Sequence, residues 1–235
     1  MGKIQKAVLS RLIVTECLKS PIVLFNTLSR AYSHSFNYLF HIAGIGTWLG
    51  ATPELLAAFF NNCVSTVALA GTKSINHKID WTQKEFHEQK VVTDYVVQIL
   101  DECGCEEILC EGPVTVTAGP VEHLKTSISA RLNERSVWKN VVQNLHPTPA
   151  TCGLPLRESQ KFIKFNEGHD RRFYTGFIGL IGATEQTFYV NLRCMEIFKN
   201  EACLYVGGGI TKQSQAEHEW NETQRKAETL LHVLL

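Results

Sequence analysis

The stretch "HEWNETQRK", residues 218–226, constrains the fold more than any other part of the chain. At about 100° per residue, Glu219, Glu222 and Lys226 fall on one stripe of a helix, and Trp220, Thr223, Ala227, Leu230, Leu231 and Leu234 form an apolar stripe beside it. The carboxylates therefore border whatever core this helix covers. Residues 81–103 repeat the arrangement: Trp81, Val92, Tyr95, Val96 and Ile99 share one helical face, and Glu85 and Glu88 fall on it. A carboxylate left in a core without a partner costs several kcal/mol or takes up a proton, so four of them on two helices call for cations. All-oxygen ligation favours Mg²⁺ or Ca²⁺ over zinc. Ordinary salt bridges such as Glu222 to Lys226 would meet the same need, and the spacing leaves both answers open.

Around these helices the chain reads as alternating short elements. "KAVLSRLIVT" (6–15) is β-branched and bounded by charge, which predicts a strand, and Pro21 opens a helix over 21–32. "FNYLFHIA" and "GTWLGAT" predict a strand pair, "CVSTVALAGT" another strand, and 105–110, 113–118 and 122–132 three more. A short helix at 136–145 precedes "HPTPATCGLP", whose prolines and glycine predict an irregular loop. A helix at 155–167, strands at 173–182, 186–198 and 202–206, a "GGG" turn and the last helix complete the chain. Nothing in it resembles a repeat or linker, so 1–235 reads as one globular domain or a large part of one.

Composition narrows the partners. With 44% apolar and 20% charged residues the chain can bury a sizeable core. Twenty-three basic residues balance twenty-three acidic ones, so the overall field draws in neither nucleic acid nor an anionic membrane, and a small-molecule partner fits better. The eight cysteines are scattered and no secretory signal precedes them, which predicts reduced thiols and a cytoplasmic location. Cys103, Cys105 and Cys110 lack the CxxC pair and histidines of a zinc site. No apolar run approaches the ~20 residues of a membrane span.

Nine segments in order then resemble the chorismate-utilising enzymes, and within them the isochorismate synthases: "KAVLSR" (6–11), "ATPELL" (51–56), "ALAGT" (68–72), "KEFHEQKVV" (84–92), "HPTPATCGLP" (146–155), "RRFYTGFIG" (171–179), "VNLRC" (190–194), "LYVGGGI" (204–210) and "EWNET" with Lys226. The resemblance implies an α+β fold of extended antiparallel sheets flanked by helices. It implies Mg²⁺ held by Glu88 and Glu222, with Glu85 and Glu219 as second acids acting through metal-bound water. It also implies Lys6 as the base that activates water and Glu54 as the acid for the departing hydroxyl. The Lys6 amine must be neutral to act, which requires lowering a pKa of about 10.4 in solution, and Glu54 must keep its proton near neutrality, which burial favours. Read from sequence alone, Lys6 is an ordinary strand-end lysine and Glu54 a turn acid after Pro53.

For a dianionic substrate the same resemblance implies Arg193 and Lys226 as anchors, a guanidinium fork suiting a planar carboxylate. Gly207, Gly208 and Gly209 offer backbone N–H groups for an anion, Tyr174 a ring contact, and Gly71 with Thr72 the wall of the ring pocket. Members with a nucleophilic lysine carry "KGT" where Ala70, Gly71 and Thr72 stand here, and anthranilate synthase-like members lack the lysine that Lys6 matches. Salicylate synthases, which add pyruvate elimination, remain the alternative. Gln89 replaces a common histidine and "GGG" a common "GAG". Family members also carry a longer N-terminal segment, so a truncated chain or a chorismate-binding protein without turnover is the reading of another class. Whether isochorismate would feed menaquinone or a siderophore is not written in the sequence.

Overall fold

The computed structural model describes residues 4–75, 80–118, 121–133 and 137–234. In chain order the elements are β1 (Lys6–Glu16), α1 (Pro21–Ala31), β2 (Phe36–Ile42), β3 (Gly46–Thr52), β4 (Leu55–Phe60), β5 (Cys63–Ser74), α2 (Gln83–Glu102), β6 (Glu106–Ala118), β7 (Val121–Arg131), α3 (Val137–Leu145), β8 (Gly153–Leu154), α4 (Leu156–Asn166), β9 (Phe177–Ile181), β10 (Glu185–Val190), β11 (Cys194–Ile197), β12 (Glu201–Thr211) and α5 (Ala216–Leu234). They build two compact units: Met1–Glu54, Pro147–Ile178 and Tyr189–Leu235 form the first, Leu55–His146 and Gly179–Phe188 the second. Among the described residues no helix is long and apolar enough to cross a membrane.

The first unit is organised by a six-stranded sheet in the order β2-β3-β11-β12-β1-β8. The run of β-branched residues in β1 pairs antiparallel with β12 along its whole length, from Lys6 opposite Thr211 to Glu16 opposite Glu201. Side chains alternate across a pleated strand, so each strand serves both faces. One face packs Leu49, Met195 and Leu204 against Leu24 and Leu28 of α1 and Leu230 and Val233 of α5. The other is aromatic: Trp48 stacks on Tyr205 (centroids 5.3 Å apart) and Tyr174 on Tyr205 (5.7 Å). Helix α1 begins where Pro21 predicts, with the Ser20 side chain accepting the Val23 N–H as N-cap.

The second unit is built on the sheet ordered β6-β7-β5-β4-β10-β9, against which α2 packs Val92, Val96 and Leu100. Gln89 is buried on the same face, its amide donating to the Ala68 carbonyl (2.9 Å) and to Thr126 Oγ1 (2.9 Å).

Several expectations are corrected. The "GGG" segment is no turn: Gly207, Gly208 and Gly209 lie inside β12, opposite Ser10, Leu9 and Val8. Residues 186–198 are two strands, because 191–193 leave the extended conformation, with Arg193 at φ +48°. Residues 106–118 are one strand with register shifts, Gly112 and Pro113 falling at the irregularity between Glu111 and Val114 of an edge strand. Residues 173–176 form a turn before β9. The loop at 146–155 contributes β8, which pairs with Lys6 and Ala7. Strand β4, absent from the sequence reading, follows Glu54 directly. Trp220, placed in the apolar stripe of the last helix, is 53% exposed and stacks on the Arg11 guanidinium at 4.0 Å.

Candidate active site

The acid and the cations of the proposed chemistry come from separated segments of the first unit. Lys6 starts β1, Glu54 follows β3, Arg193 stands between β10 and β11, and Lys226 lies on α5. Glu54 is coupled to all three cations. Burial lifts its carboxyl from the ordinary 4.5 to about 7, opposed in decreasing order by Lys226, Lys6 and Arg193. Desolvation therefore outweighs three positive neighbours. The backbone of Glu54 is fixed as well: its carbonyl accepts the Val190 N–H (2.9 Å) and its N–H donates to Thr52 Oγ1 (3.4 Å).

Arg193 is half-buried, and its Nη1 donates to Thr229 Oγ1 (2.9 Å) and the Lys226 carbonyl (3.2 Å). Burial lowers its pKa, with Tyr174, Tyr32, Glu222 and Glu54 pulling it back up. Tyr174 is buried, and that burial pushes its hydroxyl well above the usual value, so it stays a neutral donor.

The glycines of β12 make room for these side chains. A Cβ on Gly207 would lie 2.6 Å from the Leu9 carbonyl oxygen and 2.8 Å from the Tyr174 hydroxyl. One on Gly209 would lie 2.7 Å from Lys6 Cε. One on Gly208, which faces α5, would come within 3.6 Å of Glu219 Oε2 and 3.9 Å of Glu222 Oε1. Strand β11 pairs only with Ala202–Tyr205, so beyond that point β12 pairs with β1 alone. There the Gly207 carbonyl accepts from Lys226 Nζ (3.0 Å).

Glu219 and Glu222 thus border the core as the helical period requires, and both reach the same glycine. A recess of about 260 Å³ lies beside Glu219, lined also by Gly208, Leu9, Ile210 and Trp220. Lys226 Nζ bridges to Glu222 Oε1 at 2.6 Å, so the salt bridge that the spacing allowed is present. Glu219 and Glu222 are hard oxygen donors of the kind that suits Mg²⁺, which is content with one or two carboxylates and completes its shell with water and substrate. Among the described residues no group of three or more His, Cys, Asp or Glu is placed to hold a metal ion.

In the second unit Glu85 closes a capping box: its Oε2 accepts from the Thr82 N–H (2.9 Å) and Thr82 Oγ1 (2.5 Å). Burial raises its pKa, but these bonds outweigh it and the net effect is a lowering. Glu88, one turn on, is half-buried next to Gln89. Gly71 sits at a bulge with φ +72°, where a Cβ would meet Glu85 Cβ at 3.2 Å, so the side chain it excludes would strike α2. Thr72 continues β5; its side chain lies outside the described ones.

An ion pair escaped the sequence reading. Glu167, whose side chain is almost fully buried, accepts from Arg171 Nε (2.7 Å) and the Ser10 N–H (2.6 Å), while Arg171 donates to the Val8 carbonyl (2.5 Å). These two side chains satisfy the edge of β1 past β8. Their i, i+4 spacing was the available signal.

The sequence profile described as "Chorismate binding enzyme" matches residues 1–235. Isochorismate synthase EntC of Escherichia coli K12 is 29% identical over 98% of this chain and 62% of its own length. Isochorismate synthase MenF of Pasteurella multocida is 30% identical over all of this chain and 59% of its own. The solved structure of MenF, the menaquinone-specific isochorismate synthase from Escherichia coli, superposes with a TM-score of 0.86 at 27% identity, covering all of this chain and 57% of that one. The chain therefore spans about six-tenths of the length of these relatives. With its two antiparallel sheets, its helices and a profile match from end to end, the chain belongs to the chorismate binding enzyme family.

Proposed function

We propose that this chain is the catalytic portion of an isochorismate synthase, isomerising chorismate by adding water at C2 and releasing the C4 hydroxyl. The observation that carries the reading is Glu54: a carboxyl lifted to about 7 and faced by Lys6, Arg193 and Lys226 is an acid that holds its proton near neutrality inside an anion-binding site. Lys6 removes a proton from the attacking water, the ring double bonds shift, and Glu54 gives its proton to the oxygen leaving C4. One water enters and one departs. Arg193 and Lys226 hold the two carboxylates, Gly207 offers a backbone donor on the edge of β12 that faces Lys226, and Tyr174 bounds the ring.

In the first unit Glu222 would hold Mg²⁺ with Glu219 behind it, the roles that the family resemblance gives to Glu88 and Glu85 on α2 as well, and the bound ion would supply positive charge to a substrate carboxylate. The relatives named as isochorismate synthases support this reading. The test is incubation with chorismate and Mg²⁺ followed by product chromatography. Isochorismate alone is the expected result. Salicylate with pyruvate would replace the assignment by salicylate synthase, and tight binding of chorismate without turnover would remove the catalytic role.

A further inference from the structure

The segment that carries Arg193 also carries a buried amide with no part in the proposed chemistry. Asn191 is 3% exposed, and all its polar groups are engaged. Its side-chain Nδ2 donates to the Phe173 carbonyl (2.8 Å) and its Oδ1 accepts from the Tyr38 hydroxyl. Its backbone N–H donates to the Gly176 carbonyl (2.7 Å) and its own carbonyl accepts the Thr175 N–H (2.9 Å). A buried amide satisfied at every atom is fixed in place, since moving it would strand one of those groups. Room for the Tyr38 hydroxyl is made by Gly50, where a Cβ would stand 2.6 Å from it.

What Asn191 ties together is the site. Through Phe173 and Thr175 it brackets Tyr174. Two residues on is Arg193, and one residue back is Val190, whose N–H binds the Glu54 carbonyl (2.9 Å) and whose carbonyl accepts from Thr52 Oγ1 (2.5 Å). The backbone here is unusual: Arg172 (φ +49°), Thr175 (φ +61°) and Arg193 (φ +48°) all hold left-handed conformations without being glycine. Such residues persist only where their surroundings over-determine them, and they gather where geometry is functional. Asn191 supplies bonds between the strained turn before β9 and the strained turn before β11.

We infer that Asn191, seated on Tyr38, is a positioning residue for this reaction, holding Tyr174 and Arg193 in register with Glu54 while touching no substrate itself. The inference rests on the function proposed above. It is tested by a double-mutant cycle in steady-state kinetics with chorismate and Mg²⁺, using Asn191→Ala, Arg193→Lys and the pair. Asn191→Ala should lower kcat/KM by about tenfold or more in the parent, the scale of loss that sub-ångström misplacement brings, and far less when Arg193 is already replaced. Equal losses in both backgrounds would show a general structural role and overturn the inference. Tyr38→Phe keeps the ring in its packing and removes only the hydroxyl. A Tyr38→Phe protein that melts like the parent and retains full kcat/KM also overturns it, whether or not Asn191→Ala folds. A parent protein that neither binds nor converts chorismate refutes the function and the inference together, an outcome distinct from additive losses in an active enzyme.

Discussion

Replacing Glu54 by glutamine should abolish turnover and, above neutrality, make the protein more stable. The native carboxyl titrates near 7 instead of 4.5. Between those values the folded protein holds a proton that the unfolded chain has released, so by linkage stability falls as pH rises through that window, and the full loss is present above about 7. At about 1.4 kcal/mol per unit the shift corresponds to roughly 3 kcal/mol, an upper figure because the half-buried side chain keeps some contact with water. Glutamine resembles the protonated form and carries no such penalty. Urea denaturation of both proteins between pH 4.5 and 8.5 isolates the effect, since other titrating groups cancel in the difference. The variant should gain up to about 3 kcal/mol on the parent across that range. Stability curves that stay parallel would mean that Glu54 does not hold its proton in the fold, and its role as acid would fall with that result.

Three further outcomes follow from the same geometry. Lys6→Ala should remove isochorismate formation, by a factor of about 10² or more, and leave the circular dichroism spectrum and chorismate binding by calorimetry largely intact. Gly209→Ala should fold, because the new Cβ meets the flexible Lys6 side chain at Cε and not a backbone atom, yet lower kcat about tenfold by displacing the amine; steady-state rates beside a melting curve distinguish the two effects. Glu222→Gln removes both a proposed metal ligand and the partner of Lys226, so the Mg²⁺ concentration for half-maximal activity should rise by about tenfold or more in a metal titration of the rate.

How far these features were legible depends on the range of the interaction that produces them. The helical period placed Glu219, Glu222 and Lys226 at the border of the core, and they are half-buried there, because a helix face is a local property. The same period put Trp220 inside, where it is instead drawn over Arg11 by a partner more than two hundred residues away. Three successive glycines read as a turn from composition. What keeps them extended is pairing with β1 along one edge, with Tyr174 and Lys6 against one face of the strand and α5 against the other, none of it local. Gly112 and Pro113 read as a break for the same reason, although an edge strand tolerates them. Lys6 and Glu54 carried no spacing signal, and only the family resemblance singled them out. Asn191 and Tyr38, 153 residues apart, were beyond any periodicity argument.

The charge arrangement also sets how the pH profile responds to substrate. In the free protein, burial raises Glu54 while Lys226, Lys6 and Arg193 restrain the rise. A bound dianion would engage Arg193 and Lys226, so two of the three restraining charges would act on Glu54 through a substrate that cancels them. Water displaced from the carboxyl strengthens the desolvation that already dominates. Both changes favour the protonated acid. One uncompensated charge about 10 Å away in surroundings of effective dielectric ~20 is worth on the order of 1.5 kcal/mol, or about one pH unit. The alkaline limb of kcat, which reports the complex, should therefore lie about one unit above the limb of kcat/KM, which reports the free enzyme near 7. A kcat limb at or below that of kcat/KM, measured at saturating Mg²⁺, would mean that the substrate's charges do not reach Glu54, and that the cations around it serve the fold and not the ligand.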